Sequence, residues 1–191
     1  MIELREHTNG DKALFIDGVC QGVVDKDGTP LSPYMKPIME RIAGLQANSE
    51  LMFLGGGLCA LPKWAKDRGH RVSVTEMDDE VIKLSGAVEA GLSVFNKEAL
   101  DIVSFEEDWF DFILLDVWPN DPNMYCADFF VVCKRYLKKG GLFAMNYLSD
   151  SQVEIDAMGK LLAAVFPNVK MTVLHRDKEM KEPCQVVYFG N

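Results

Sequence analysis

Short apolar runs alternate with helical stretches along most of the chain from residue 50 onward. Runs such as ELMFL (50–54) and FDFILL (110–115) are almost entirely apolar, which is typical of strands covered on both faces. Between the runs, apolar residues recur at helical spacing, as in the stretch 78–91. Strand and helix in alternation predict an α/β fold: a mostly parallel sheet with helices on both faces.

The same patterns predict the bounds of the elements. Seven strands are expected at 50–54, 71–76, 92–96, 110–118, 141–147, 169–175 and 184–189. Helices are expected at 34–44, 58–69, 78–91, 98–108, 124–141 and 149–166. The helix at 124–141 is predicted to end in its lysines and glycines, and the last helix is predicted to start with Ser149 or Asp150 as its cap.

A small N-terminal piece precedes this pattern. Two β-prone runs flank Asp17 and Gly18, a dipeptide favoured in tight hairpin turns because both positions need positive φ. The stretch 25–34, which carries Gly28 and two prolines, reads as a loop. We therefore predict a β-hairpin with its connecting loop at residues 1–33 and an α/β domain at residues 34–191.

Three consecutive glycines, Gly55, Gly56 and Gly57, follow the first parallel strand and precede a helix. Such a loop lets a ligand approach the main chain closely. Glu76 stands 21 positions after Gly55 at the end of the next strand, where an acid can accept hydrogen bonds from both ribose hydroxyls of a nucleoside. The arrangement predicts a cofactor that contains a nucleoside.

Two classes of cofactor use this geometry. The pattern Gly55-x-Gly57-x-x-Ala60 matches the dinucleotide fingerprint, which is weak on its own. An S-adenosyl cofactor calls for an acid or amide after the third strand, and Glu98 stands there. A nicotinamide enzyme of this length would have little chain left for its second substrate, so the S-adenosyl class is favoured.

Length, composition and charge limit the kinds of protein that this chain can be. A length of 191 residues suits about one domain, and no apolar run approaches the roughly 18 residues of a membrane span. The net charge of −9 argues against a nucleic-acid partner. Five cysteines without a CxxC pair and three scattered histidines suggest neither a disulfide framework nor a metal site. The polar start of the chain does not resemble a signal peptide, so a reducing cytoplasm is the expected location.

Six blocks follow one another over about residues 13–148: LFIDGVCQG, LGGG, VTEMDDEVI, KEAL, FDFILLDVWPNDP and ADFFVVCKRYLKKGGLFAMN. In this order they resemble the successive blocks of the spermidine synthases, the polyamine aminopropyltransferases. The resemblance implies a Rossmann-like sheet of seven strands of the S-adenosylmethionine methyltransferase type, behind a small β-structured N-terminal part. It also implies a transferase of polyamine biosynthesis that uses S-adenosylmethionine or its decarboxylated form, no metal and a small-molecule amine acceptor. Since these enzymes commonly form dimers, a homodimer is one expected assembly.

The resemblance also implies roles for single residues. Asp116 matches the general base that takes a proton from the attacking amine, and Asp121 matches an acid that holds the amine substrate. Gln21 and Tyr34 match substrate-binding residues of the N-terminal part and of the pocket mouth. The positions that would line the nucleoside are Gly55, Gly56, Gly57, Glu76, Met77, Glu98 and Ala99.

Some positions depart from the family pattern. Leu58 stands where the family has an acid that holds the cofactor's aminopropyl cation. Met35 and Lys36 follow Tyr34 in place of His-Glu, so a cation stands where an acid would meet a diamine. Intact S-adenosylmethionine also carries a carboxylate, which helix N-terminal amides can bind. A methyltransferase and a catalytically degenerate nucleoside-binding protein therefore stay open as alternatives to aminopropyl transfer.

Overall fold

The structure, a computed structural model, describes residues 1–99, 101, 106–117, 125–149, 151–175 and 184–191. By its internal contacts the chain divides into two units, Met1–Ala99 and Leu100–Asn191. The domain boundary predicted after residue 33 stays a prediction. Among the described residues, no helix has the length and apolar character that crossing a membrane requires.

The first unit opens with an antiparallel sheet of three strands in the order β1-β2-β3. These are β1 (Ile2–Glu6), β2 (Lys12–Ile16) and β3 (Val19–Val24). Asp17 and Gly18 have φ values of 50° and 82°, so the predicted hairpin turn between β2 and β3 is confirmed. Strand β1 was not predicted, because neither Ile2 nor Leu4 is buried and its apolar pattern is therefore short and weak.

The rest of the first unit contains three parallel strands and three helices. Their bounds are α1 (Met35–Ala43), β4 (Glu50–Leu54), α2 (Ala60–Lys66), β5 (Arg71–Glu76), α3 (Asp79–Ser85) and β6 (Ser93–Asn96). Strand β4 pairs in parallel with β5, and β5 pairs in parallel with β6. The Asp78 carboxylate caps α3 by accepting hydrogen bonds from the amides of Glu80 and Val81.

The second unit supplies the other four strands of the main sheet. Its elements are β7 (Phe110–Leu115), α4 (Ala127–Tyr136), β8 (Leu137–Ser149), α5 (Gln152–Val165), β9 (Lys170–His175) and β10 (Cys184–Gly190). Strand β7 is parallel to β8, whereas β10 runs antiparallel to both β8 and β9. The order β6-β5-β4-β7-β8-β10-β9 confirms the predicted mostly parallel sheet of seven strands.

Several predicted element ends were wrong. Helix α3 ends at Ser85 and not at Gly91, because Gly86 at its C-cap takes a left-handed φ of 62°. Helix α4 ends at Tyr136, and the residues predicted as its last turn form the start of β8, where Leu137 pairs with Phe110. Lys138 binds the Asp111 carboxylate at 2.8 Å across these strands, so its charge serves the strand pair and not the helix end.

The predicted cap of α5 was also wrong, because the cap is Ser151, whose hydroxyl accepts from the amide of Glu154. The buried Ser149 hydroxyl accepts from the Ser151 amide and donates to the Glu154 carboxylate. Asp150, the other predicted cap, and most of the helix predicted at 98–108 lie outside the described residues.

Candidate functional site

The glycine loop, Gly55–Gly57, turns the chain from the buried strand β4 into α2. Gly55 and Gly57 have φ values of 96° and 50°, in the left-handed region that glycine enters without strain. The amide of Gly55 donates to the carbonyl of Thr75 at 3.0 Å, which fixes the start of the loop to strand β5. The loop therefore lies at the carboxyl end of β4 and has no side chains of its own to cover its main chain.

The Glu76 carboxylate, at the end of β5, is hydrogen-bonded to this loop. Its Oε2 accepts hydrogen bonds from the amides of Gly56 and Gly57, each at 3.1 Å. Its Oε1 accepts from the amide of Asp78 at 3.1 Å. The structure thus brings together three of the predicted nucleoside-binding residues, and the acid is oriented by main-chain donors.

The two glycines that bind Glu76 differ in the space around them. A Cβ at Gly56 would stand 3.2 Å from each of Cys59 Sγ, Glu76 Cβ and Val74 Cγ1, so these neighbours would have to shift by a few tenths of an ångström to admit it. A Cβ at Gly57 would meet nothing within 4 Å. The loop is therefore packed tightly on its inner side and open at Gly57, which leaves room for a group to lie against the main chain there. These residues fit a nucleoside.

Cys59 is a residue of this site that the sequence did not indicate. It is buried at the N-cap of α2 with a φ of 50°, and its sulfur lies against Gly56. Burial raises the pKa of its thiol to about 11, so it is neutral at physiological pH. Cys59 packs beneath the loop as a neutral, buried thiol.

The other predicted cofactor residues follow the ends of β5 and β6. Met77 is 63% exposed and Glu98 is exposed, whereas Ala99 is buried. Leu58, which replaces the acid of the family pattern, is half-buried directly after the loop. Their contacts with a nucleoside stay predictions.

The predicted substrate residues of the first unit lie on β3 and at the start of α1. Gln21 is half-buried on β3, and its side-chain amide donates to the carbonyl of Val19 at 3.3 Å. Tyr34 is buried at the N-cap of α1, beside the buried Met35 and the exposed Lys36. Their roles toward a substrate stay predictions.

Asp116 follows the buried end of β7 in the second unit and is half-buried. Its Oδ1 accepts a hydrogen bond of 2.9 Å from the side-chain amide of Asn146 on β8. The Asn146 carbonyl oxygen accepts in turn from the side-chain amide of Gln185 on β10, at 3.1 Å. The sequence did not single out Asn146 or Gln185, although strand pairing between β7, β8 and β10 would have placed them near the acid.

Two tyrosines lie in the same part of the second unit. The rings of Tyr125 and Tyr147 meet edge to face with their centroids 5.6 Å apart, and the Tyr125 hydroxyl donates to the carbonyl of Val117 at 3.4 Å. Burial raises the pKa of Tyr125, and the charges of Tyr147 and Asp116 raise it further. Burial also raises the pKa of Tyr147, with a smaller effect from Glu154. Both hydroxyls therefore stay protonated at physiological pH.

Asp121, the second predicted acid, lies outside the described residues. The predicted role of Asp121 in holding an amine stays a prediction.

No protein-family model and no curated protein matches the sequence. Solved structures do match in fold. A probable spermidine synthase from Corynebacterium glutamicum ATCC 13032 superposes with a TM-score of 0.82 at 22% identity, over 100% of this chain and 76% of that one. The spermidine synthase from Thermotoga maritima matches with a TM-score of 0.74 at 15% identity, over 99% of this chain and 68% of that one.

A methyltransferase matches as well. Human Methyltransferase-like protein 13, solved in complex with SAH, gives a TM-score of 0.69 at 17% identity, over 84% of this chain and 82% of that one. The chain has the fold shared by spermidine synthases and S-adenosylmethionine-dependent methyltransferases.

Proposed function

We propose that this chain is a spermidine-synthase-like transferase that binds an S-adenosyl cofactor and transfers an aminopropyl group to a small amine acceptor. The observation that carries the proposal is the contact of the Glu76 carboxylate with the bare glycine loop, at Gly56 and Gly57. The fold likeness to spermidine synthases supports the same assignment. The proposal places the protein in polyamine biosynthesis in the cytoplasm and includes a homodimer as its assembly.

In this proposal Glu76 binds the ribose of the cofactor. An ionised carboxylate offers about four lone-pair positions, and Glu76 uses three of them for main-chain amides. Two ribose hydroxyls therefore need one amide contact to be given up, and the open side at Gly57 is the place for that exchange. Met77, Glu98 and Ala99 are assigned to the adenine end of the nucleoside.

Asp116 is proposed as the general base. The cofactor, when bound, supplies an activated carbon next to its sulfonium. An alkylammonium acceptor has an unperturbed pKa near 10.4, so at neutral pH it has to lose a proton before its nitrogen can attack. A carboxylate such as Asp116 attracts the ammonium and accepts that proton. Asp121, Gln21 and Tyr34 are assigned to the rest of the acceptor.

The surroundings of Asp116 support an amine as the acceptor. The acid is half-buried, so its charge is less screened than a surface carboxylate. Tyr125 and Tyr147 add two aromatic rings nearby, and ring faces attract cations by about 0.5–1 kcal/mol at exposed sites. An acid beside aromatic rings suits an alkylammonium better than it suits a neutral or anionic acceptor.

Methyl transfer is the second candidate, and Leu58 is the observation that favours it. Decarboxylated S-adenosylmethionine carries an ammonium that an acidic side chain near this position would bind, and Leu58 has no charge. Intact S-adenosylmethionine also carries a carboxylate, which main-chain amides can bind.

The supply of such amides counts against methyl transfer. The amides of Gly56 and Gly57 already donate to Glu76, and Pro62 in the first turn of α2 has no amide hydrogen. Few main-chain donors are therefore left for the carboxylate of S-adenosylmethionine.

Calorimetric titration with both forms of the cofactor separates the candidates. Tighter binding of the decarboxylated form supports aminopropyl transfer, and tighter binding of intact S-adenosylmethionine overturns it in favour of methyl transfer. Binding of both without turnover of any amine points to a degenerate binding protein. Binding of neither overturns the proposal as a whole.

Substitution of Asp116 tests the proposed base. Asp116→Asn is expected to abolish turnover with an amine acceptor while the dissociation constant of the cofactor stays nearly unchanged. Asp111→Asn is the matched control, because Asp111 is a half-buried carboxylate on β7, the strand that Asp116 follows, and it binds Lys138. Equal turnover in the two variants would show that Asp116 is not the general base.

A further inference from the structure

Three polar side chains form a continuous hydrogen-bonded line across strands of the second unit. Gln185 Nε2 donates to Asn146 Oδ1 at 3.1 Å, and Asn146 Nδ2 donates to Asp116 Oδ1 at 2.9 Å. All three side chains are half-buried. The line is a relay of two amides that ends on a carboxylate.

Strand register explains why these residues meet. Leu115, the last residue of β7, pairs with Met145, so Asp116 directly after β7 lies next to Asn146 on β8. On the other side of β8, Asn146 is paired with Val187 and Leu148 is paired with Gln185. Asn146 and Gln185 are thus diagonal neighbours on one face of an antiparallel pair, within reach of long side chains.

The chemistry of the groups sets the direction of the relay. An ionised carboxylate can only accept hydrogen bonds, so Asn146 has to turn its NH2 group toward Asp116. Its carbonyl oxygen then faces Gln185, which has to donate. Gln185 therefore holds the Asn146 amide in the one orientation that supports the acid.

We infer that Asn146 and Gln185 are positioning residues that fix the direction of the Asp116 carboxylate through this relay. The inference rests on the proposed role of Asp116 as the base. Two neutral amides orient the acid without adding a charge of their own beside it. A lysine or arginine at either position would orient the acid but also neutralise it.

Substitution of Gln185 tests the direction of the relay. Gln185→Glu keeps the size of the side chain but replaces the donor with a carboxylate. This carboxylate competes with Asp116 for the Asn146 NH2 group, so in part of the molecules the Asn146 carbonyl oxygen turns toward Asp116. We expect kcat to fall roughly tenfold or more, the worth of a hydrogen bond to a charged group, while KM and the cofactor dissociation constant change little.

Gln185→Met is the matched control. It removes the donor without reversing the Asn146 amide, so its loss of kcat should be clearly smaller than that of Gln185→Glu. Equal losses in the two variants, or a fall in cofactor affinity that matches the fall in kcat, would overturn the inference, because a merely structural role predicts no dependence on the direction of the donor.

Side-chain amide NMR tests the relay without turnover. Asp116→Leu should shift the side-chain amide resonances of both Asn146 and Gln185, whereas Asp111→Leu should shift neither. If Asp116→Leu does not fold, Gln185→Met should shift the Asn146 side-chain amide. A Gln185 amide that does not respond to loss of Asp116, or an Asn146 amide that does not respond to Gln185→Met, overturns the relay.

The two measurements separate this inference from the proposed function. If the amide resonances shift as expected but the protein turns over no amine, the proposed function is wrong and the relay is correct. If the protein turns over an amine in a way that depends on Asp116 but the amide resonances do not shift, the relay is wrong and the proposed function is correct.

Discussion

Oε2 of Glu76 accepts a hydrogen bond from the amide of Gly57 at 3.1 Å, and the same oxygen accepts from Gly56. The acid proposed to bind the ligand therefore also holds the loop on which the ligand would lie. A substitution of Glu76 would therefore affect both ligand binding and the conformation of the loop. Substitutions of Gly56 and Gly57 can separate the two effects, because the space around the two glycines differs.

Replacement of the two glycines should have different consequences. In Gly56→Ala the new methyl group stands 3.2 Å from atoms of Cys59, Glu76 and Val74, so we expect a loss of about 1–3 kcal/mol of stability and displacement of Glu76. In Gly57→Ala the methyl group has space, and the left-handed backbone costs about 1–2 kcal/mol. Denaturant unfolding measures both costs.

Cofactor affinity should separate the same two variants more sharply than stability. Gly56→Ala should weaken binding of S-adenosyl compounds by more than tenfold at temperatures where it is folded, because it moves the acid. Gly57→Ala should weaken it less. Equal affinities in the two variants would contradict the assignment of Glu76 to the ligand.

The buried thiol of Cys59 should resist alkylation. Its pKa is raised to about 11 by burial, so at pH 8 almost none of it is thiolate, whereas Cys20 is exposed. Iodoacetamide applied to the native protein at pH 8, followed by peptide mass spectrometry, should modify Cys20 and spare Cys59. Rapid labelling of Cys59 in the folded protein would show that the loop does not cover it.

The same thiol makes stability depend on pH. Its folded-state pKa lies above the ordinary value of 9.0, so the unfolded chain releases this proton first as pH rises. The contribution is fully present below about pH 9 and is lost as pH rises toward about 11. Cys59→Ala should therefore show a flatter fall in the free energy of unfolding across this range than the parent protein. Parallel curves would contradict the burial of the thiol.

The tyrosine pair predicts an effect on acceptor binding. Tyr125→Ala removes a ring that contacts Tyr147, so the KM for an amine acceptor should rise several-fold. Tyr125→Phe keeps the ring and loses only the 3.4 Å hydrogen bond to Val117, so its KM should stay close to that of the parent. A KM that rises equally in both variants would assign the effect to the hydroxyl.

The pattern of the sequence was sufficient to predict much of the fold. Buried runs such as β4 and β7 are strongly apolar, and the Asp17-Gly18 dipeptide marks its turn through the positive φ it needs. Strand β1 was missed because its pairing with β2 leaves its side chains largely exposed. The end of α4 was misplaced because pairing of Leu137 with Phe110 overrides the local preference of a Lys-Gly-rich segment for a helix end.

The candidate site was predictable only where it depends on local order along the chain. Glycines after one strand and an acid after the next are visible as a spacing, and the structure joins Glu76 to Gly56 and Gly57. The contact between Asn146 and Asp116 joins residues 30 positions apart through strand register, which no local pattern carries. Cys59 was missed for a similar reason, since only packing against Gly56 gives it a place in the site.

The most direct test of the central claim is calorimetric binding of 5′-methylthioadenosine, which carries the nucleoside shared by aminopropyl and methyl donors. The parent protein and Asp78→Ala, which keeps the main-chain donor to Glu76, should bind it alike. Glu76→Ala should weaken binding roughly tenfold to a hundredfold, the worth of hydrogen bonds to a charged group. Equal affinity in the parent protein and in Glu76→Ala, or no binding to the parent protein, would contradict the account.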